Sequence, residues 1–557
     1  MRRILLFFFI LLTVVFSSPI YSGNIFAASQ NFATIVIPFR GREYWQDFAK
    51  PRQILDYLNK EKLPSTVLLT YANLNDTEVV NYLHGLKNRP EMGLFLEVDQ
   101  QLANDSLVSY HFGDFDKAAA NQILFSGYQP DERIRMADRL VTRFKSVFGE
   151  LPSSAGAWYV DAVTVNYLQN KYSLAAILGV ADQYVTDTYG LWGKPWGIPY
   201  ISSLHNPLIP AGTDKAGPVA IQWAARDPIK GYGLTVGDST YSFQANDYIN
   251  HHNLSISYFR ILLDSYFDKL NPINQVTVGL EAGQEGWEFL DEFVRQIAEL
   301  RLRRDKGEIR LSTMRQFAGI FKGLSRENQP ASVVYGLDRE GKKTAGWWFN
   351  FSAYRAYLEL SEGVLKIRDL KVYQPFFFND LLTADREPRL ERYLPSCLDD
   401  LSDNNSLLIA EDIIFTSVKR QGDIFNLDYQ QKENSGRLTL DRFGIRNNGR
   451  LIVKFEDKQP FWTGYFNRLL LDYYTWKKSS VRPLLVYSKI EGSHFAGLYL
   501  PPEKLLGFKS SAPFFGLFSF PYQTLAKFKS FPLSKIGVFF HQDLLNGASK
   551  CKIIRRI

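Results

Sequence analysis

Between residues 34 and 324, short apolar runs alternate with longer segments whose apolar residues recur at helical spacing. This alternation is typical of βα units, in which parallel strands are joined by crossover helices. The predicted strands are residues 34–39, 65–70, 92–98, 155–160, 175–180, 219–223, 275–280 and 309–311. Seven or eight such units predict a closed β/α barrel, which we assign to residues 32–325.

Two helices between these strands carry start signals. Asp76 precedes a predicted helix at residues 77–86, and Pro130-Asp131-Glu132 opens another that ends near Phe148. The segment 182–217 differs, because it lacks periodicity and is rich in Gly, Pro, Trp and Tyr. A loop of that length in a compact domain usually has a function.

Beyond about residue 329 the pattern changes to short β-type runs. These runs are residues 344–351, 365–373, 407–418, 437–440 and 451–455. Asn448-Gly449 is a signal for a two-residue hairpin turn. Residues 330–557 are therefore predicted to be a β-rich, β-sandwich-like accessory region of one or two subdomains. The predicted fold class is α/β, with a barrel followed by this region.

The first 28 residues have the layout of a secretion signal. Arg2-Arg3 precede an apolar run at residues 4–16, and helix-breaking Ser17-Ser18-Pro19 follows. Thirteen residues in a helix rise about 20 Å, which is less than the roughly 30 Å of a bilayer core. We expect cleavage near Ala27-Ala28 and an exported protein, either secreted or associated with the cell envelope. The alternative is a membrane tether through residues 4–16.

Composition narrows the classes of partner and cofactor. The formal charge is +7 with a pI near 9.0, but Lys and Arg are dispersed, so a nucleic-acid partner is not predicted. The two cysteines, Cys397 and Cys551, are too far apart in sequence to indicate a metal clip. A disulfide between them is compatible with export but is not implied.

Charged residues follow several predicted strand ends, where the active face of a βα barrel lies. They are Arg40 and Arg42 after strand one, Glu97 at the end of strand three, Asp161 after strand four and Glu281 after strand seven. Glycosyl or acyl transfer needs one carboxyl group that is protonated and another that is ionised. We predict Asp161 and Glu281 as the acid/base pair, Glu97 as a third carboxylate, and Arg40 and Arg42 as substrate clamps. The alternative is that these residues are solvated loop charges or Arg–carboxylate braces such as Arg42 with Glu43.

Aromatic residues accompany these carboxylates. Trp158 and Tyr159 lie at the exit of strand four, and Tyr189, Trp192 and Trp196 lie in the long segment. Exposed aromatic faces stack on sugar rings, so the pattern favours a saccharide cleft with a polysaccharide or oligosaccharide partner. The alternative is that Trp192 and Trp196 pack into a small local core that holds the loop in place.

Several segments carry a resemblance to a known superfamily. Residues 90–97, PEMGLFLE, resemble the third-strand motif of polysaccharide deacetylases and related glycoside hydrolases. Residues 308–317, EIRLSTMRQF, are similar to the closing strand and helix of that superfamily. Residues 156–161 and 182–187 resemble segments of uncharacterised bacterial members, and Asp182 and Asp187 are assigned to substrate binding with the second segment. The resemblance spans residues 34–324 and implies a β/α barrel that acts on polysaccharide.

One departure from that superfamily concerns the metal. Its deacetylases bind a divalent ion through an Asp and a His-x-x-x-His pair, but Phe95 stands where a ligand His is expected. No His-x-x-x-His occurs among the seven histidines, so no cofactor is predicted, and a divalent metal with other ligands stays open. The leading hypothesis is an exported hydrolase-like protein that deacylates or cleaves an envelope or extracellular polysaccharide. The alternative is a non-catalytic saccharide-binding or envelope scaffold protein, so catalytic activity is left open.

Overall fold

A computed structural model describes most of the chain up to residue 455. The described residues are 29–111, 120–180, 198–204, 209–211, 216–233, 240–283, 285, 288–324, 330–337, 344–373, 396–400 and 406–455, with short strands further on. The predicted signal at residues 1–28 lies outside them. Within the described part, no helix is both long and apolar enough to cross a membrane.

The N-terminal half is built on one large sheet. Its strands are β1 (Gln30–Phe39), β2 (Thr66–Leu69), β3 (Glu91–Phe95), β4 (Ser154–Gly156), β5 (Ala176–Val180), β6 (Tyr200–Ser203), β7 (Ala216–Trp223), β8 (Ile273–Gly279) and β9 (Arg310–Ser312). The hydrogen-bonded order is β6-β7-β5-β4-β3-β2-β1-β8, and β9 also pairs with β1. All pairs are parallel except β6 with β7.

The sheet is strongly curled. Trp223 ends β7, and its ring lies so close to β8 that a Cβ on Gly279 would come within 2.5 Å of it. Trp158, which follows β4, contacts the same Trp223 ring at 5.9 Å between centroids. Strands far apart in the sheet order can touch in this way only across the concave side of a curled sheet. Aromatic side chains therefore fill the inside of the curl.

Helices cover this sheet. They are α1 (Ala49–Lys60), α2 (Tyr71–Asn75), α3 (Thr77–Gly85), α4 (Gln100–Asp105), α5 (Ala120–Ile123), α6 (Pro130–Phe148), α7 (Ala162–Tyr172), α8 (Ile256–Tyr266), α9 (Leu290–Asp305) and α10 (Met314–Leu324). Helix α6 shows why they form, since Pro130 occupies its first turn, a Gln129–Glu132 capping box starts it, and Gly149 with φ of 77° ends it. Its buried stripe includes Met136, Leu140 and Phe144, at the spacing of one helical face.

The structure confirms the α/β class but not the predicted closed barrel of seven or eight units. Among the described strands, β8 and β6 end the hydrogen-bonded path, so the parallel sheet is an open, curled half-barrel. The predicted loop at residues 182–217 contains strand β6, which pairs antiparallel with β7. Its sequence, YISS, is too short for a period-two pattern to predict a strand.

The C-terminal half consists of separate antiparallel sheets. Its strands are β10 (Ser332–Leu337), β11 (Thr344–Asn350), β12 (Tyr354–Ser361), β13 (Val364–Val372), β14 (Ser396–Asp399), β15 (Leu407–Ala410), β16 (Ile413–Gln421), β17 (Ile424–Gln431), β18 (Asn434–Asp441), β19 (Gly444–Asn447), β20 (Arg450–Phe455), β21 (Leu484–Ile490), β22 (Ser493–Leu500), β23 (Phe514–Phe515) and β24 (Cys551–Ile553). One sheet has the order β10-β11-β12-β13-β14, and another has β16-β17-β18-β19-β20-β24. Both contribute to one apolar core, in which Phe349 of the first lies 5.3 Å from Phe425 of the second.

Contacts of backbone and side chain connect the two halves. The Asn271 amide pairs with both backbone groups of Val333, with its Nδ2 2.8 Å from the Val333 carbonyl oxygen and its Oδ1 2.8 Å from the Val333 N–H. Trp348 Nε1 donates to the Pro228 carbonyl at 3.0 Å, and the Tyr232 hydroxyl donates to the Arg368 carbonyl at 3.2 Å. The division into domains at residues 325 and 330 stays a prediction.

Candidate functional site

A buried arginine lies at the carboxyl edge of the parallel sheet. Arg40 directly follows β1, and its guanidinium is ion-paired with two carboxylates. Arg40 Nε lies 3.0 Å from Glu97 Oε2, and Arg40 Nη1 lies 3.2 Å from Glu281 Oε1. All three side chains are buried. We call these three residues the Arg40 cluster.

Strand register explains why the three meet. Glu281 follows β8, which pairs directly with β1, and the Arg40 N–H donates to the Ala282 carbonyl at 3.3 Å. Glu97 follows β3, two strands away on the other side of β1. Parallel strands place their carboxyl ends at one edge, so residues distant in sequence converge there.

Neighbouring side chains hold Arg40 in place. Its guanidinium lies 3.5 Å from the centre of the Tyr44 ring and donates to the Tyr44 hydroxyl. Its carbonyl accepts hydrogen bonds from Trp45 Nε1 at 2.8 Å and Asn73 Nδ2 at 3.0 Å. Asn73 is fixed in turn by a capping box with Thr70 at the start of α2. The cation therefore sits in a rigid setting, as a preorganised site requires.

The two carboxylates of the cluster share one positive charge. The pKa of Glu97 is raised to about 7, mainly by burial, while Arg40 opposes the shift and the nearby charges of Glu281 and Glu43 add to it. A buried group with one cation and two carboxylates favours one bound proton. Glu97 can therefore be protonated near neutral pH and act as a proton donor.

A second carboxyl group lies nearby. Asp99 caps α4 by accepting from the Leu102 N–H at 2.7 Å, and it also accepts from the Ala72 N–H at 3.1 Å. Burial raises the pKa of Asp99 to about 6, with a further contribution from Glu43. Two amide donors hold this side chain, so its first role is to join α2 to α4.

Comparisons with known proteins find structural similarity at low sequence identity. No protein-family model matches the sequence, and no curated protein matches it. A solved structure of a candidate glycoside hydrolase/deacetylase from Parabacteroides distasonis is 14% identical with a TM-score of 0.47, and the match covers 62% of this chain and 86% of that one. A candidate polysaccharide deacetylase from Mycobacterium smegmatis is 11% identical with a TM-score of 0.33, over 54% of this chain and 92% of that one.

The chain resembles structures of the deacetylase type. Identities this low and TM-scores below 0.5 assign neither an activity nor a substrate to this chain. The chemistry has to be argued from its own residues.

Asp161, predicted as an acid/base residue, lies in a different setting. Its Oδ1 is 3.0 Å from Arg133 Nη1, and both side chains are almost fully buried. The same carboxylate caps α7 by accepting from the Thr164 N–H at 2.9 Å and the Thr164 hydroxyl at 2.7 Å. These contacts use both oxygens of Asp161, so the carboxylate serves a helix cap and a buried ion pair, and its acid/base role stays a prediction.

Arg42, predicted as a substrate clamp, is also committed elsewhere. Its exposed guanidinium pairs with Asp76 and Glu78 at the start of α3. These hydrogen bonds, first to Asp76 and then to Glu78, raise the pKa of Arg42. The alternative of an Arg–carboxylate brace therefore describes Arg42, although the partner is not its neighbour Glu43.

The aromatic residues of strand four do not form an exposed platform. Trp158 is 5% exposed and Tyr159 is 3% exposed. Trp158 packs edge-on against Phe95 at 5.1 Å and so belongs to the filling of the curled sheet. Neither ring presents a free face at the surface, and the substrate-binding role of both residues stays a prediction. The other predicted ligands, Asp182, Asp187, Tyr189, Trp192 and Trp196, lie outside the described residues.

The deacetylase metal does not fit the residues at its expected position. Phe95 is fully buried against Trp158 and offers no lone pair to an ion. Across the described ranges, no group of three or more His, Cys, Asp or Glu side chains is arranged to hold a metal. His252 instead lies 2.7 Å from the Thr240 hydroxyl and stacks on Tyr241. No step of the chemistry is therefore assigned to a metal ion.

Asp99, Tyr110 and Gln122 were not among the predicted site residues. Gln122 Nε2 donates to the Tyr110 hydroxyl at 3.2 Å. Burial raises the pKa of Tyr110, and the charges of Asp99, Glu43 and Glu97 contribute in the same direction. An antiparallel bridge between Glu97 and Leu124 brings the Gln122 segment there. Asp99 could have been found from its place after strand three, but no periodic pattern marks the other two.

Proposed function

We propose that this protein is an exported, carbohydrate-active hydrolase-like protein that acts on an envelope or extracellular polysaccharide. The observation that carries the proposal is the pair of carboxylates, Glu97 and Glu281, held on the Arg40 guanidinium at the carboxyl edge of the sheet. Export rests on the signal layout of residues 1–28. The sequence resemblance to deacetylases and glycoside hydrolases points to the same substrate class.

The cluster supports glycosidic cleavage better than deacylation. Cleavage of a glycosidic bond needs one carboxyl group to protonate the leaving oxygen and a second to act as base or nucleophile. Glu97, with its pKa raised to about 7, suits the first role. Glu281, paired with Arg40 Nη1, suits the second. Deacylation of the metal-dependent kind would need ligands that Phe95 does not provide.

A second candidate is a non-catalytic saccharide-binding or envelope scaffold protein. One observation favours it, since Glu97 and Glu281 are 6% and 8% exposed and both are already paired with Arg40. Such a cluster can serve as a structural ion-pair network instead of a reactive site. The two candidates share this geometry and differ only in whether the bound saccharide is converted into a product.

The test is an assay of the exported protein with a panel of acetylated and unacetylated polysaccharides. New reducing ends and released acetate are both measured, alongside Glu97→Gln, Glu281→Gln and the matched control Glu308→Gln. Glu308 is exposed and precedes β9, at the opposite edge of the sheet. We expect new reducing ends from the unmodified protein and from Glu308→Gln, and a loss of about 100-fold or more in the other two variants.

Binding measured on the same panel separates the two candidates. Saccharide binding without any product supports the non-catalytic candidate and rejects the hydrolase. If the protein forms no product and binds no saccharide, both candidates are rejected. Release of acetate that is unchanged by Glu97→Gln and Glu281→Gln rejects the Arg40 cluster as the site.

Export is tested by the N-terminus of the protein found outside the cytoplasm. Sequencing is expected to start near residue 29, and deletion of residues 1–28 is expected to retain the protein in the cell. A fraction that keeps residues 4–16 and stays with the membrane would support the tether instead.

A further inference from the structure

The carboxyl edge of the sheet carries an excess of negative charge. Its described carboxyl groups are Glu43, Glu97, Asp99 and Glu281, and the guanidinium among them is Arg40, so negative charge stays in excess even when Glu97 holds a proton. The charge of Glu43 contributes to the raised pKa of both Glu97 and Asp99. Arg42, the next cation along the chain, is directed to Asp76 and Glu78 instead.

Glu43 is turned back toward the chain at this edge. A Cβ placed on Gly41 would lie 2.6 Å from the carboxyl carbon of Glu43. The side chain therefore folds over Gly41, next to Arg40, in space that other residues at position 41 would occupy. Glu43 is exposed, so its charge faces whatever enters the site.

One buried acceptor near this edge also lacks a donor among the described residues. Gln122 is 4% exposed, and while its Nε2 donates to Tyr110, its Oε1 has no hydrogen-bond partner in the described part of the chain. An unpaired buried acceptor costs about 1–3 kcal/mol. This oxygen would be satisfied by a ligand that donates a hydrogen bond.

The ligand that matches excess negative charge and an unpaired acceptor is a cation with N–H donors. A metal ion matches less well, because the described His, Cys, Asp and Glu side chains form no group of three that could hold one. An ammonium group has three donors and needs no such convergent shell. On a saccharide, that group is the protonated amine of a sugar without an N-acyl group.

We propose that the site selects saccharides that carry free, protonated amines, with Glu43 as the residue that sets this preference. The choice of a saccharide rests on the proposed function, whereas the choice of a cation rests on the charges and the unpaired acceptor of the site. Gln122 provides an inner acceptor, and Glu43 provides the outer charge.

The test compares the binding of three hexasaccharides to the full protein at pH 6 by titration calorimetry. The probes are β-1,4-linked glucosamine, N-acetylglucosamine and glucose hexamers. We expect the glucosamine hexamer to bind about tenfold or more tightly than the other two, with a preference that shrinks as NaCl is added. Glu43→Gln should reduce the preference about three- to fivefold, and Glu308→Gln should leave it unchanged.

A second variant moves the charge without removing it. Gly41→Ala displaces the Glu43 carboxylate, which is the flexible end of an exposed side chain, so the fold is expected to survive. It should lower the preference as Glu43→Gln does. Circular dichroism of both variants confirms that they are folded.

The outcomes separate this inference from the proposed function. Equal binding of the three hexamers, or a preference that Glu43→Gln leaves intact, overturns the inference even if a neutral polysaccharide is hydrolysed. Preferential binding of the glucosamine hexamer without hydrolysis supports the inference while the hydrolase proposal fails. Displacement of that hexamer by CaCl₂ but not by NaCl of equal ionic strength overturns it in favour of a metal-ion site.

Discussion

Glu97 shows at the scale of one residue how burial creates a chemical function. In water its carboxyl group is ionised at neutral pH, but in the fold it loses solvent and gains only a share of one guanidinium. A raised pKa of about 7 follows, and the side chain becomes a group that can both hold and release a proton. Because the buried carboxylate is poorly solvated, ionisation of Glu97 lowers the free energy of unfolding.

The first prediction is the pH dependence of that cost. The native pKa of about 7 lies above the ordinary value of 4.5. Between pH 4.5 and pH 7 the native state therefore binds more protons than the unfolded state. Stability from Glu97 is therefore full below pH 4.5 and is lost as the pH rises to about 7. The size corresponds to about 3 kcal/mol.

Urea unfolding of the protein and of Glu97→Gln from pH 4 to pH 8 measures this term. The difference in the free energy of unfolding, variant minus unmodified protein, is expected to rise by about 3 kcal/mol across the range. A difference that is constant with pH would show that Glu97 titrates at its ordinary value.

The second prediction concerns Asp161. Its replacement by Asn keeps a good helix cap but leaves the buried Arg133 charge without its carboxylate. We expect a loss of about 3–5 kcal/mol in the free energy of unfolding. Asp305→Asn, which removes an exposed carboxylate from an ion pair with Arg304, should change it by less than about 0.5 kcal/mol.

Urea unfolding and the hydrolysis assay, applied to the same variant, together decide the role of Asp161. A stable Asp161→Asn protein that has lost all hydrolytic activity would return Asp161 to the acid/base role. A large loss of stability, with activity per folded molecule retained, supports the structural role.

At the scale of elements, the clearest agreement between sequence and structure is the turn between β19 and β20. Asn448 and Gly449 have φ of 50° and 76°, the left-handed values that a tight two-residue hairpin turn requires. Local backbone sterics decide such a turn, so two adjacent residues are enough to predict it. The helix ends at Pro130 and Gly149 are local in the same sense.

The third prediction tests this turn. Gly449→Ala is expected to cost about 1–2 kcal/mol, because a Cβ disfavours the left-handed region while nothing nearby would clash with it. Gly85→Ala is the matched control, since Gly85 ends α3 without a positive φ and also has open space around it. That change should be neutral or stabilising by up to about 1 kcal/mol. Equal effects of the two substitutions in thermal unfolding would contradict the turn assignment.

At the scale of the whole molecule, the β-rich half is joined to the parallel sheet by specific polar contacts. The side-chain amide of Asn271 pairs with both backbone groups of Val333, as a neighbouring strand would. Val333 lies in β10, the edge strand of its sheet. The ring of Tyr232 adds aromatic contacts between the halves, with its centroid 4.5 Å from that of Tyr357 and 5.6 Å from that of Trp348. The segment after β7 is thereby fixed against the C-terminal half.

The fourth prediction is that Asn271→Leu destabilises the protein by about 2–4 kcal/mol, because it leaves a buried N–H and a buried C=O of Val333 unpaired. Asn88→Leu is the control, since it removes a side-chain bond on the surface, from Asn88 Nδ2 to the Asn59 carbonyl oxygen at 2.9 Å. Water replaces that bond, so a change of less than about 1 kcal/mol is expected. Urea unfolding of both variants checks the pair, and similar losses would mean that the contact at Val333 is not buried in solution.

The sequence by itself determined the elements of this protein and the edge at which its charges gather. Apolar runs of four to eight residues and helical periodicity are local, so most strands of the parallel sheet and the start of α6 could be predicted within a few residues. Arg40, Glu97 and Glu281 could be predicted as neighbours because each follows a strand.

Tertiary structure alone decided what each charge does. Asp161 and Arg42 also follow strands, but partners from other elements, Arg133 for one and Asp76 for the other, take them out of the cluster. The sequence predicts that Trp158 stacks on sugar, whereas in the structure the curl of the sheet buries its ring. Closure of a sheet, burial and ion pairing depend on residues far apart in the chain, and no local pattern carries that information.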